Sequence, residues 1–203
     1  MKIVCIGRNY VAHAIELGNL VPTEPVIFIK PKTALYSFDK PYYYPVFTND
    51  LHYECELVLK ICKNGKHITE ADAHLYYNQI TVGIDFTARD VQNDLKAKGL
   101  PWEKAKAFDD AAVVGTWKDI TTIDDATKIP FSLQLNNTIV QDADSSLMIF
   151  NFAQILADAS KYFTLNIGDL IYTGTPAGVG ECVSGDNLKA FIGKDCLLDF
   201  SIK

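Results

Sequence analysis

The segment His52-Tyr53-Glu54-Cys55-Glu56 sets two carboxylates two residues apart between apolar stretches. On a strand, side chains alternate between faces. His52, Glu54 and Glu56 then share one face, and Leu51, Tyr53, Cys55 and Leu57 share the other. The second face suits a core, so Cys55 reads as packing rather than as a nucleophile. The first face concentrates negative charge, which a hard divalent cation with oxygen ligands would compensate. The exposed polar face of an edge strand accounts for the pentapeptide equally well. A further carboxylate, Asp85, ends the apolar run Ile80-Thr81-Val82-Gly83-Ile84, at the exit of a strand, where it is free to be a ligand. Arg89 and Gln92 follow at i and i+3 of a predicted helix, near the end that favours anions. His13 and Glu16 stand at the same spacing. A carboxylate beside an imidazole fixes its tautomer and raises its basicity, as a general base requires. Such a pair also occurs as an ordinary contact on a helix surface. The turn Thr173-Gly174-Thr175-Pro176-Ala177-Gly178-Val179-Gly180 could present backbone N–H groups and hydroxyls to an anion. It lacks the Gly-Lys-Ser/Thr ending of a phosphate loop, and a plain glycine-rich bend is the alternative.

The elements that must position these groups are short. Lys2 to Ile6 reads as a buried strand. Asn9 suits a helix cap, with a helix from Tyr10 to Leu17 closed by Gly18. The prolines at 22, 25, 31, 41 and 45 make residues 19–50 extended and irregular. His52 to Cys62 has the strand pattern, and Asn64-Gly65 predicts a hairpin turn. Thr69-x-x-Asp72 predicts a helix start, running to about Tyr77. Thr87 predicts the cap of a helix from Ala88 to Lys98, ended by Gly99 and Pro101. Leu133 to Gln141 predicts a hairpin turning at Asn136-Asn137, and Phe152 to Phe163 a helix. Leu170–Thr173, Leu188–Ile192 and Leu197–Ile202 read as strands. Strands outnumber helices without a regular βαβ order, so the expected class is α+β, mainly β.

Composition narrows the function. The 203 residues carry 19 Lys+Arg against 25 Asp+Glu, a net charge of −6, which disfavours a nucleic-acid partner. No run approaches the roughly 18 apolar residues of a membrane span, and Met1 to Ile6 is too short for a signal peptide. A cytoplasmic protein of one domain, residues 1–203, is expected. Five cysteines without a C-x-x-C pair read as reduced thiols, not as a zinc site.

Taken jointly, several motifs resemble the fumarylacetoacetate hydrolase family, and most closely its short acylpyruvase and oxaloacetate decarboxylase branch. They are Ile6-Gly7-Arg8-Asn9-Tyr10, His52-x-Glu54-x-Glu56, Asp85-x-Thr87-Ala88-Arg89-Asp90-x-Gln92, Gly99-Leu100-Pro101-Trp102-x-x-Ala105-Lys106-x-Phe108-Asp109, Ser145-Ser146-x-Met148-Ile149-Phe150 and Gly168-Asp169-x-Ile171-x-Thr173-Gly174-Thr175-Pro176. Their order and spacing cover nearly the whole chain. The resemblance implies layered, strongly bent β-sheets with a few short helices, and a homodimer. It implies Mg²⁺ or Mn²⁺ held by Glu54, Glu56 and Asp85. It matches Arg89, Gln92, Lys106 and Thr175 to substrate-contacting positions and His13 with Glu16 to the acid/base pair, and Lys30 fits the family's Lys-Pro step.

The chemistry implied is a Mg/Mn-dependent C–C bond hydrolase of acylpyruvate-type 2,4-dioxo acids, working through a metal-stabilised pyruvate enolate. Arg89 or the Thr175 turn would hold the carboxylate, and Lys106 would stabilise or protonate the enolate. The same site could decarboxylate oxaloacetate. A 2-oxo-alkenoate hydratase or isomerase of aromatic catabolism, and a metal-stabilised binding protein without catalysis, are the competing readings.

Overall fold

The computed structural model describes residues 1–203. In chain order the strands are β1 (Lys2–Gly7), β2 (Val26–Pro31), β3 (Leu51–Tyr53), β4 (Cys55–Ile61), β5 (Tyr77–Asp85), β6 (Thr87–Ala88) and β7 (Ala112–Val114). They continue as β8 (Lys118–Asp119), β9 (Pro130–Leu135), β10 (Thr138–Asp144), β11 (Leu170–Tyr172), β12 (Gly180–Glu181), β13 (Asn187–Ile192) and β14 (Asp195–Ser201). The helices are α1 (Val11–Glu16), α2 (Arg89–Ala97), α3 (Glu103–Lys106) and α4 (Phe152–Tyr162). The strands form a central sheet in the order β2-β1-β11-β4-β5-β7, with β8 beside β5, and two smaller sheets, β10-β9-β13-β14 and β12-β3-β6. The class is mainly β with a few short helices, as expected. Irregular register in the β9–β10, β13–β14 and β4–β5 ladders bends these sheets.

The central sheet is covered on both faces, which is why β1 and β4 read as nearly continuous apolar runs. Val4, Ile6, Leu57 and Leu59 enter the main core. Ile3, Cys5 and Val58 pack on the opposite face with Ala112, Leu170 and Tyr172. The smaller sheet made by β9, β10, β13 and β14 adds Phe131, Leu133, Leu188 and Phe200 to the main core.

Local signals hold where their partners are close in sequence. Gly18 and Gly99 adopt φ of +65° and +63° just past α1 and α2. The following N–H groups reach back, Asn19 to Ala14 (2.8 Å) and Leu100 to Leu95 (2.9 Å), which closes each helix. Asn136 and Asn137 both take positive φ, at +52° and +66°, in the tight β9–β10 hairpin.

Four expectations are corrected. Residues 19–50 are not wholly irregular, because β2 pairs along the length of β1; it is an edge strand, where bounding prolines are tolerated. Asn64-Gly65 does not turn a hairpin. Gly65 exchanges backbone hydrogen bonds of 2.9 and 2.8 Å with Leu165. A Cβ there would lie 2.3 Å from the Tyr76 ring, so the glycine serves a close approach. The helix expected after Thr69 is a single 3₁₀ turn, Ala73–Leu75, since Tyr76 already pairs with Cys62 and commits the chain to β5. Neither Asn9 nor Thr87 caps a helix; Tyr10 and Ala88 stand at those positions without side-chain caps. Both polar side chains are spent elsewhere, as described below.

Candidate active site

Glu54 occupies the break between β3 and β4, Glu56 lies on β4 and Asp85 ends β5. Antiparallel pairing of Cys55 with Ile84 and of Glu56 with Gly83 brings the three together, and the Asp85 N–H donates to the Glu54 carbonyl at 2.8 Å. The carboxylates are 5%, 2% and 1% exposed, and one oxygen of each lies within 4.8 Å of the others. His52 does not join them. It is half-buried, and its Nε2 meets Asp50 at 2.7 Å. Cys55 points into the main core.

Buried cations surround this cluster. Lys106 Nζ donates to Glu54 Oε2 (2.7 Å) and to Asp85 Oδ2 (2.8 Å). Arg89 donates through Nη2 to Glu54 Oε1 (2.6 Å) and through Nη1 to Gln92 Oε1 (2.7 Å). Thr87 Oγ1 donates to the same Glu54 oxygen at 3.0 Å. Burial alone would push the Glu54 carboxyl up, but Lys106 and Arg89 outweigh it and hold it well below its usual range. Burial likewise works against the Lys106 charge, and Asp85 and Glu54 reverse that, raising its pKa.

Two gaps remain, one of charge at Glu56 and one of hydrogen bonding at Asp85. Glu56 meets no cation and accepts one N–H, from Gly174 at 2.7 Å; burial, then repulsion from Asp85, pushes its carboxyl well up. Asp85 Oδ1 accepts no hydrogen bond. Lys30 Nζ lies 2.7 Å from it, but that ammonium donates to the carbonyls of Phe86, Lys106 and Ala111. Lys30 therefore supplies charge without a hydrogen bond. Three buried carboxylates, one with an orphaned oxygen and one with an unmatched charge, fit a hard divalent cation. Their 4.8 Å span is about twice a metal–oxygen bond of roughly 2.0–2.6 Å. No His or Cys belongs to the set, which disfavours zinc.

His13, on α1, lines the same cleft. Its Nδ1 faces Glu16 Oε2 at 3.3 Å, and Glu16 Oε1 accepts the Gly178 N–H at 3.0 Å. Glu16 thus stands behind the imidazole and ties α1 to the glycine-rich turn. Burial lowers the His13 pKa, against the opposing pull of Glu54 and Glu16, which favours the neutral ring, the form that accepts a proton. Thr175 Oγ1 donates to the Cys55 carbonyl at 2.8 Å.

The structure brings His13, Glu54, Glu56, Asp85, Arg89, Gln92, Lys106 and Thr175 to one cleft. Lys30 is fully buried beneath it, and Glu16 sits outside it behind His13. A larger cavity of about 490 Å³ near Tyr77, Met148 and Phe152 has no charged lining and lies apart from this chemistry.

Sequence reasoning missed three supports. Gln141 is buried; it accepts the Cys55 N–H (2.9 Å) and donates to Thr175 Oγ1 (2.9 Å) and the Pro176 carbonyl (3.0 Å). Asn9 Nδ2 donates to the Phe150 and Thr173 carbonyls. Neither has a local signal, because the partners lie far along the chain. Lys96 also lines the cleft, and its position four residues after Gln92 on α2 was a readable sign.

A family model described as fumarylacetoacetate (FAA) hydrolase C-terminal matches residues 2–198. The mitochondrial oxaloacetate tautomerase of Bos taurus is 39% identical over 191 residues, 94% of this chain and 86% of its own. The mitochondrial oxaloacetate decarboxylase of Dictyostelium discoideum is 37% identical over 203 residues, 99% of this chain and 93% of its own. Among solved structures, fumarylpyruvate hydrolase from Pseudomonas aeruginosa, in complex with Mn²⁺ and pyruvate, superposes with a TM-score of 0.92 at 34% identity. That superposition covers 100% of this chain and 89% of the other. The extent of these matches agrees with the motifs and with the curled sheets: the chain belongs to the fumarylacetoacetate hydrolase family.

Proposed function

We propose that the chain is a divalent-metal-dependent enzyme of short 2-oxo acids, with oxaloacetate enolisation and decarboxylation as its first reaction class. The observation that carries this reading is the buried trio Glu54, Glu56 and Asp85, set within 4.8 Å and facing a cleft that also holds His13. The names of the relatives favour oxaloacetate as the acid.

Glu54, Glu56 and Asp85 would hold Mg²⁺ or Mn²⁺, which when bound supplies Lewis acidity toward the oxygens of a 2-oxo acid. Lys106 adds positive charge beside the position where enolate charge develops. Arg89 is held by Glu54 and Gln92, and with the Gln92 amide it orients the substrate carboxylate, while Thr175 ties the glycine-rich turn to the Cys55 carbonyl beside it. Neutral His13 takes the proton from C3 in enolisation, while Glu16 fixes its tautomer with Nδ1–H turned to the carboxylate. In decarboxylation the C3–C4 pair passes to the C2 carbonyl as CO₂ leaves, and C3 is then protonated. Lys30 balances the charge of Asp85 from below.

The His13–Glu16 pair favours a second reading, hydrolysis of acylpyruvates. There His13 takes a proton from water as the water attacks the C4 carbonyl; the C3–C4 bond breaks, giving pyruvate enolate and a carboxylic acid. The test is purified protein with Mg²⁺, assayed on oxaloacetate for enol–keto exchange and CO₂ release and on acetylpyruvate for cleavage. Turnover lost in EDTA and restored by Mg²⁺ or Mn²⁺ is expected. Full turnover in excess EDTA rejects the metal, and no turnover of either acid rejects the function.

A further inference from the structure

We infer that Arg8 and Lys96 read a distal carboxylate on the substrate, so that the cleft selects dicarboxylic 2-oxo acids over analogues uncharged at that end. This inference rests on the 2-oxo acid reading of the site.

Four Arg and Lys side chains line the cleft, and two of them are ion-paired. Lys106 and Arg89 are ion-paired to Glu54, and Lys106 to Asp85 as well. Arg8 and Lys96 line the same cleft and have no Asp or Glu oxygen within 4.0 Å. Lys96 sits over the Trp102 ring at 5.7 Å, on the face of α2 that carries Arg89 and Gln92. Both cations are half-buried rather than fully solvated. Burial, then Arg89 and Arg8, lowers the Lys96 pKa, and Glu54 opposes that fall. Arg8 also holds a left-handed backbone, φ +60°, where β1 gives way to the cleft. A residue with a Cβ adopts that conformation only at a cost.

Two half-buried cations in one cleft, neither ion-paired directly, favour an anionic ligand there. The carboxylate trio lies deeper, with the groups proposed to handle the 2-oxo end. Arg8, at the exit of β1, and Lys96, in the last turn of α2, are then left for the other end of the molecule. An acid with a second carboxylate satisfies both requirements, and one with a neutral tail leaves the cations unmatched.

Oxaloacetate and its 4-methyl ester share their carbon chain and reacting C3 and differ in the distal charge. The experiment measures kcat/KM for enolisation of each by the Mg²⁺-loaded protein, and by Arg8→Gln, Lys96→Met and Arg8→Lys variants checked for folding by circular dichroism. The oxaloacetate-to-ester ratio of kcat/KM should fall about tenfold in Arg8→Gln and in Lys96→Met, the worth of one charged contact. It should recover in Arg8→Lys, which keeps the charge. Arg8→Asn replaces Arg8→Gln if the latter does not fold, because Asn tolerates the left-handed region. A ratio unmoved in Arg8→Gln and Lys96→Met overturns this inference alone. Wild-type protein that enolises neither compound overturns the proposed function and this inference with it.

Discussion

Glu16 separates two chemistries that share one cleft. It touches His13 and the Gly178 N–H and lies outside the carboxylate trio. Water becomes a nucleophile only with a base, and general-base help is typically worth about 10²–10⁴-fold. Decarboxylation needs an electron sink and no such base. Glu16→Gln should therefore cut acetylpyruvate hydrolysis by about 10²-fold or more and oxaloacetate decarboxylation by far less. Paired steady-state assays on one preparation check this, and an equal loss of both activities would remove the His13–Glu16 pair from the mechanism. At this scale much was readable from residue type alone. Period-2 alternation put Glu54 and Glu56 together and sent Cys55 to the core, while Asp85 needed only the end of an apolar strand. Gln141 was invisible because its work is to hold Cys55 and Thr175, and nothing in Gln141 or its neighbours names those partners.

Among the elements, the attachment of β1 to the loop before β11 depends on one buried carboxylate. Asp169 is 1% exposed; it accepts the backbone N–H groups of Lys2 and Asn166, each at 2.8 Å, and the Lys2 ammonium. Burial would raise its pKa, but these donors outweigh that and hold it below the ordinary 3.8. A depressed carboxyl contributes stability that is present above its unfolded value and is lost as pH falls through the folded one. Asp169→Asn should cost about 1–3 kcal/mol near pH 7. The gap between wild type and variant should narrow in denaturant melts carried below about pH 4; a constant gap would assign the loss to packing. The same contrast of local and distant partners explains which elements were legible. Gly18, Gly99 and the Asn136-Asn137 turn act on neighbours within a few residues. Gly65 acts on Leu165 and Asn9 on Thr173, across the fold, and β2 exists because β1 offers it a ladder.

For the whole molecule, no helix is long and apolar enough to cross a membrane. The homodimer proposed from the resemblance predicts a sedimenting mass twice the 22.6 kDa chain at micromolar concentration; a species of 22.6 kDa rejects it. The parallel pairing of β1 with β11, Ile3 against Leu170, has a consequence during synthesis. β1 is made long before the inner neighbour it pairs with, because Ile3 and Leu170 stand far apart along the chain. Glu56 likewise waits for the Gly174 N–H, its only hydrogen-bond donor. The emerging chain can zip β4 to β5 early, yet it must keep the apolar segment Ile3–Ile6 out of trouble on the side that β11 will cover. Completion of the central sheet and of the carboxylate site therefore waits on a segment made far later in the chain than β1 and β4, so the site forms with the long-range closure of the fold and not with the local β4–β5 ladder.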